Sequence, residues 1–193
     1  MTRKAVFMDR DGTVSEEVGY VNHIDRYRLL PRSAEAIQML NRAGLPAIVV
    51  TNQSGVARGL FDESLVHRVH ERLAAWLGER GARVDGIYYC PHHPREGAPP
   101  LKTDCECRKP RPGLLMAAAR EHGLDLASSY MIGDSAVDIE LALNVGATGV
   151  LVLTGYGRGE LDTRIAGRGL RPAHVASDLL EAVEWILDRE RLR

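Results

Sequence analysis

Short apolar runs rich in branched residues alternate along this chain with longer stretches in which apolar residues recur at helical spacing. Ala5 to Met8, Ala47 to Val50, Gly86 to Tyr89, Tyr130 to Ile132 and Gly149 to Leu153 read as five strands. A parallel strand covered on both faces has no polar side to alternate with, so it shows as a continuous apolar run. Between these runs, Ser33 to Ala43, Asp62 to Glu79, Gly113 to His122 and Ala136 to Val145 carry the helical period, and Asp178 to Leu187 repeats it near the C-terminus. Ser33, Asp62 and Ser135 stand where they can cap helix N-termini, and Gly44, Gly81, Gly123 and Gly146 stand where helices should stop. Val69, Leu73, Trp76 and Leu77 share one helical face, as do Leu179, Leu180, Val183 and Ile186, so both sets are expected in the core. The alternation predicts an α/β fold, a doubly wound parallel sheet of Rossmann-like type.

Composition adds that this fold should be one domain spanning 1–193, since 193 residues, 45% hydrophobic and 26% charged, suit a single sizeable core. A formal charge of −1 provides no global field to attract nucleic acid or an acidic membrane, so an anionic substrate has to be held by local groups. The apolar stretch after Met1-Thr2-Arg3-Lys4 is too short for a signal peptide or a membrane span, which points to a cytoplasmic protein. No apolar stripe is left over for an oligomer interface, and a monomer is expected.

Candidate chemistry collects at the C-terminal ends of the predicted strands, where open α/β sheets bind ligands. Asp9 and Asp11 follow the first strand two residues apart, a spacing that projects both carboxylates to one side of an extended chain. That pair alone also describes a solvated turn. Matching groups stand at three further places: Thr51-Asn52 after the second strand, Arg108-Lys109 before the third helix, and Asp134 with Asp138 after the fourth strand. Two convergent acids repel unless a cation lies between them, and hard oxygen ligands beside a phosphate suit Mg²⁺. Thr51 and Lys109 can give hydrogen bonds and fixed positive charge to a phosphoryl group, while Asp134 can complete the oxygen shell of the metal. Asp138 reads either as an acid facing the dipole in the first turn of its helix or as a support behind the metal ligands.

The order Asp-x-Asp-Gly-Thr at 9–13, Thr-Asn-Gln-Ser-Gly at 51–55, Lys-Pro at 109–110 and Gly-Asp-x-x-x-Asp at 133–138 resembles the phosphatases of the haloacid dehalogenase superfamily. The resemblance implies that Asp9 attacks phosphorus to form an aspartyl phosphate and that Asp11 protonates the leaving group and then activates water. It further implies Mg²⁺ bound by the Asp9 side chain, the Asp11 backbone carbonyl and the Asp134 side chain. An acid at position 11 argues for a phosphatase, because dehalogenases of the superfamily lack one there. The intervals between motifs are filled by helices, strands and loops and leave no room for an inserted cap, so a capless form is expected.

Cys90-Pro91-His92 and Cys105-Glu106-Cys107 supply three thiolates and an imidazole, the number and softness of a tetrahedral structural zinc site. Three buried thiols and a surface histidine are the alternative, and His93 competes with His92. Four protein ligands leave no position for water, so such an ion is architectural and would pin the zinc-binding loop that leads into Arg108 and Lys109. An odd-numbered cysteine cluster in one irregular segment, Pro91 to Pro112, also suits a reducing compartment.

Gly19-Tyr20-Val21, the run from Thr51 to Gly59, the run from Tyr88 to Pro94 and Cys105 to Pro110 narrow the resemblance. They point to a branch of the superfamily that removes the 7-phosphate of a bisphosphorylated heptose for bacterial surface polysaccharide. Histidinol-phosphate phosphatases, with a shorter interval between the two cysteine motifs, are the alternative, and a phosphosugar-binding module is the non-enzyme alternative. The latter would be expected to have lost an acid or the lysine, and none is missing. The expected partner is a small phosphosugar. Arg108 is the candidate to grip its second phosphate, unless it is an ordinary surface arginine. By resemblance Glu17, Gly19 and Tyr20 form a loop over the sugar, Asn52, Gln53 and Ser54 contact it from the opposite side, and Ser135 replaces an expected lysine. Gly155-Tyr156-Gly157-Arg158-Gly159 lacks the partners of a phosphate-cradling motif and reads as a flexible loop, while His67 and His70 read as a solvated helix face.

Overall fold

The apolar runs become parallel strands in the computed structural model, which describes residues 3–192. Strands β1 (Val6–Met8), β2 (Ala47–Asn52), β3 (Gly86–Cys90), β4 (Tyr130–Gly133) and β5 (Thr148–Val152) lie within two residues of their expected ends. A sixth, β6 (His174–Ala176), extends the sheet beyond the five expected, giving the order β3-β2-β1-β4-β5-β6. Its three residues form no apolar run, and two of them are only half-buried, so the edge strand carries little hydrophobic signal. The helices are α1 (Ser33–Arg42), α2 (Glu63–Gly78), α3 (Gly113–His122), α4 (Ala136–Asn144), α5 (Gly157–Glu160) and α6 (Leu179–Arg191).

Residues alternate across the sheet into two apolar layers. Val6, Met8 and Val49 face α1, α2 and α6, whose Ile37, Leu73 and Val183 belong to the same cluster. Phe7, Ile48, Val50 and Met131 face the opposite way, with Leu115 of α3 and Leu141 of α4. Each such fully buried side chain contributes roughly 1.5–3 kcal/mol relative to exposure. Asp62 caps α2 by accepting from the Leu65 amide at 2.8 Å. Ser33, expected to cap α1, is instead its first helical residue: Arg32 takes the cap position with a left-handed backbone, φ 64°, and no side-chain cap bond. Glycines 44, 81, 123 and 146 end helices with φ between 64° and 72°. No helix among the described residues is long and apolar enough to cross a membrane.

Because β1 is flanked by β2 on one side and β4 on the other, the crossover direction reverses at its C-terminal end. That reversal opens the crevice in which this fold places ligands.

Candidate active site

A cavity of about 200 Å³ opens at that crevice and is lined by Asp9, Asp11, Thr51, Lys109 and Asp134. Glu17, Gly19, Tyr20, Asn52, Gln53, Ser54 and Ser135 complete the rim. Of the residues picked out in the sequence for this site, Arg108 and Asp138 are absent from the lining; Asp138 is fully buried behind it, and the Arg108 guanidinium donates to the His92 carbonyl at 3.3 Å.

Asp9 leaves β1 with its amide still bonded to the Ile132 carbonyl at 2.9 Å, so the sheet itself fixes its position. Its carboxylate lies 2.9 Å from Lys109 Nζ, which is also 2.8 Å from Asp138 Oδ1 and donates to the Val50 carbonyl at 3.1 Å. Burial works against the lysine's charge, but Asp138 and Asp9 override it and raise its pKa. Burial raises Asp9 to about 7 against the pull of Lys109, and burial together with Asp9 and Asp138 raises Asp134 to about 8. Oxygens of Asp9, Asp134 and Asp138 lie within 4.8 Å of one another, an excess of negative charge that fits a hard divalent cation.

Asp138 divides the two oxygens of its carboxylate between different partners. One oxygen holds Lys109, and the other accepts from the Ser135 amide at 3.2 Å and hydroxyl at 2.6 Å at the start of α4. Asn52, on the rim, spends its amide on the Lys109 main chain, accepting at 3.0 Å and donating at 3.2 Å. Lys109 is thus held at its backbone from β2 and at its ammonium from β2, from α4 and from Asp9 just past the end of β1.

Asp11 lines the same cavity but takes different partners. Arg10 Nε and Nη2 reach its two oxygens at 3.0 and 2.7 Å, Gln53 donates at 2.9 Å, and the Ser15 hydroxyl donates at 3.2 Å. Burial would raise the Asp11 pKa, yet Arg10 and the other donors hold it below the ordinary carboxylate value. The same Gln53 amide donates to Thr51 Oγ1 at 2.9 Å, tying the threonine to the acid.

Cys90, His92, Cys105 and Cys107 converge beside the cavity, with Sγ of Cys105 3.5 Å from that of Cys90 and 3.3 Å from that of Cys107. His92 Nδ1 faces Cys107 Sγ at 3.3 Å. His93, the competing ligand, points away to Arg58, its Nε2 3.1 Å from the guanidinium. Four soft donors this close, each presenting one atom, can hold a metal ion.

Comparison with known proteins agrees with this geometry. The HAD-hydrolase-like family model matches residues 106–182. The D-glycero-D-manno-heptose-1,7-bisphosphate 7-phosphatase of Thermosynechococcus vestitus is 43% identical over 192 residues, 96% of each chain. The chain belongs to the haloacid dehalogenase superfamily. A second member, the D-glycero-beta-D-manno-heptose-1,7-bisphosphate 7-phosphatase of Escherichia coli, is 44% identical over 153 residues, 78% of this chain and 80% of its own. The crystal structure of the D,D-heptose 1,7-bisphosphate phosphatase from B. bronchiseptica, complexed with magnesium and phosphate, superposes with a TM-score of 0.85 at 37% identity. It covers 96% of this chain and 99% of its own.

Two site features of this superfamily member are not apparent from its sequence pattern. Gly155-Tyr156, read as a flexible loop, folds against Asp134: the Tyr156 amide donates to Asp134 Oδ2 at 2.8 Å, and α5 begins immediately afterwards. Gly12 and Gly155, with φ 83° and 54°, pack on that carboxylate so closely that a Cβ would stand 2.0 and 2.1 Å from Oδ2. The Tyr156 ring lines the mouth and hydrogen-bonds with Glu17; burial raises Glu17, and the Glu17 charge raises Tyr156. His67 is solvated as expected, but His70 is not: its ring is half-buried with Nε2 3.2 Å from Arg10, and burial plus that cation lower its pKa to about 3. The missed signal is the glycine pair 12 and 155, which a close backbone approach requires.

Proposed function

We propose that this chain hydrolyses the 7-phosphate of D-glycero-D-manno-heptose 1,7-bisphosphate through an aspartyl-phosphate intermediate. The observation that carries the phosphatase reading is the convergence of Asp9, Asp11, Asp134 and Lys109 in one cavity at the topological switch point. Relatives at 43% and 44% identity, both named as 7-phosphatases of this sugar bisphosphate, support the substrate.

In the proposed reaction an Asp9 carboxylate oxygen attacks phosphorus, the bond from phosphorus to the sugar oxygen breaks, and Asp11 gives its proton to that departing oxygen. Asp11, now a carboxylate, takes a proton from water, whose oxygen attacks phosphorus and releases inorganic phosphate and free Asp9. Lys109 and Thr51 meet the charge that grows on the non-bridging oxygens. The Asp9 and Asp134 side chains, with the Asp11 carbonyl, would hold Mg²⁺, which supplies Lewis-acid stabilisation of the phosphoryl oxygens when bound. Cys90, His92, Cys105 and Cys107 would hold zinc: ligand distances of about 2.3 Å to sulfur give tetrahedral S–S edges of about 3.8 Å, near the spacings present. Arg108, fixed beside that loop, receives the second phosphate, and Glu17, Gly19, Tyr20, Gln53, Ser54 and Ser135 border the sugar. With three free thiols, a reducing cytoplasmic setting is consistent.

Phosphate release measured on both anomers of the heptose bisphosphate, on histidinol phosphate and on simple hexose phosphates tests the reading. Fastest turnover is expected on a heptose bisphosphate, with one phosphate released; fastest turnover on histidinol phosphate overturns it. Asp9→Asn should abolish turnover with the fold intact.

A further inference from the structure

Arg10 stands between the two acids in sequence and is used by none of the roles above. Its side chain is 1% exposed and does not line the cavity. A buried guanidinium persists only where its charge and its N–H groups are matched. Half of that matching comes from Asp11, through a two-point fork at 3.0 and 2.7 Å that fixes the plane of the carboxylate as well as its distance.

The other half comes from the protein body. Arg10 Nη1 faces His70 Nε2 of α2 at 3.2 Å, where a neutral imidazole accepts from the guanidinium. The guanidinium carbon lies 5.6 Å from the centre of the Tyr27 ring, and Tyr27 stacks on Trp76 of α2 with ring centres 5.8 Å apart. A chain of contacts therefore runs from α2 through His70, Tyr27 and Arg10 to the carboxylate of Asp11.

We infer that Arg10, seated on His70 and Tyr27, is a positioning residue that sets the rotamer of Asp11, so that proton delivery to the leaving group depends on it. The inference rests on the reading of Asp11 as that proton donor. In the step concerned, the Asp9–phosphorus bond forms, the phosphorus–ester oxygen bond breaks, and the Asp11 proton moves to the ester oxygen. A sugar alkoxide leaves poorly without that proton, whereas p-nitrophenolate leaves well without it.

The test compares kcat/KM on a primary sugar phosphate and on p-nitrophenyl phosphate, a ratio insensitive to the later hydrolysis of the phosphoenzyme. Arg10→Met is expected to lower the sugar ester about 100-fold, the scale of an ångström's misplacement, and the aryl ester by less than about threefold. Arg10→Lys should fall between wild type and Arg10→Met. His70→Leu should show the same selective loss, and His70→Gln, whose amide oxygen can accept from Arg10, should recover most of it. Equal losses on both esters in Arg10→Met and His70→Leu overturn the inference; if Arg10→Met does not fold, Arg10→Lys and the two His70 variants decide. Asp11→Asn serves as the control. If it fails to distinguish the esters, the acid role of Asp11 falls; if it distinguishes them while Arg10 and His70 variants do not, the positioning role alone is removed.

Discussion

Lys109 is the cation that Asp9 and Asp138 share, at 2.9 and 2.8 Å, and its side chain is 2% exposed. Lys109→Met keeps the length of the stem and removes the charge, leaving both acids, with Asp134 nearby, short of a counter-ion. Removing one partner of a buried ion pair costs about 3–5 kcal/mol. At roughly 2–4 °C per kcal/mol for a chain of this size, the metal-free variant should unfold about 10 °C below wild type at pH 8.

The sign of the pH dependence follows from Asp9, which burial already raises to about 7 from 3.8. A carboxylate raised on folding costs nothing below its unfolded value, costs progressively more between its unfolded and folded values, and holds that full cost above them. Loss of Lys109 raises Asp9 further, so the deficit should be small at pH 5, where Asp9 is protonated in both folded proteins, and should grow as pH rises past about 7. The double variant Lys109→Met/Asp138→Asn removes one orphaned charge and should recover about half of the lost Tm. Its phosphate release should stay at least about 100-fold down, because the positive charge at the transferred group is still missing. Circular-dichroism melts at pH 5 and pH 8 in a chelator, paired with phosphate-release assays in Mg²⁺, measure both arms. A Lys109→Met deficit under about 2 °C at pH 8, a deficit independent of pH, or an active double variant would refute the reasoning.

Asp9 and Asp134, raised to about 7 and 8, must lose protons before they bind a cation, so apparent Mg²⁺ affinity should climb between pH 6 and pH 9. Calorimetric titrations across that range should show proton release, and an affinity flat with pH would contradict the placement of the ion. Cys107→Ser removes one of four clustered donors; metal analysis should show loss of a stoichiometric ion, and limited proteolysis should begin to cut within 91–112. Unchanged metal content and unchanged protection would mean that the four donors do not hold the loop.

Strands β1, β2, β4 and β5 were legible because burial on both faces leaves an unbroken apolar run, edge strand β3 because it still carries Ile87, Tyr88 and Tyr89 in sequence, and α3 was legible to the residue because Gly123 stops it in a left-handed conformation. β6 was not, since an edge strand of three residues buries too little side chain to leave a pattern. Ser33 misled for a related reason: capping depends on backbone angles, and Arg32 adopts the left-handed turn one residue earlier. In the candidate site, residues at strand ends were legible as a set because the fold brings strand ends together. Tyr156 was not, because its link to Asp134 is made by a backbone amide, which leaves no mark on residue type. Nor was His70, whose partner Arg10 lies sixty residues away.

A spacing of two predicts which side Asp9 and Asp11 face but not which neighbours they meet, and the neighbours set their chemistry. Burial raises Asp9 against the pull of Lys109, while around Asp11 the effect of burial is outweighed by Arg10 and the other donors, and it is lowered. Under the proposed roles that order is inverted, since the nucleophile should be ionised and the acid protonated. The charges that arrive with the reactants correct it. A divalent cation between Asp9 and Asp134 favours their ionised forms, and a phosphate dianion placed beside Asp11 disfavours its carboxylate. Under the proposed roles, the charges of the loaded site therefore move each acid toward its working state.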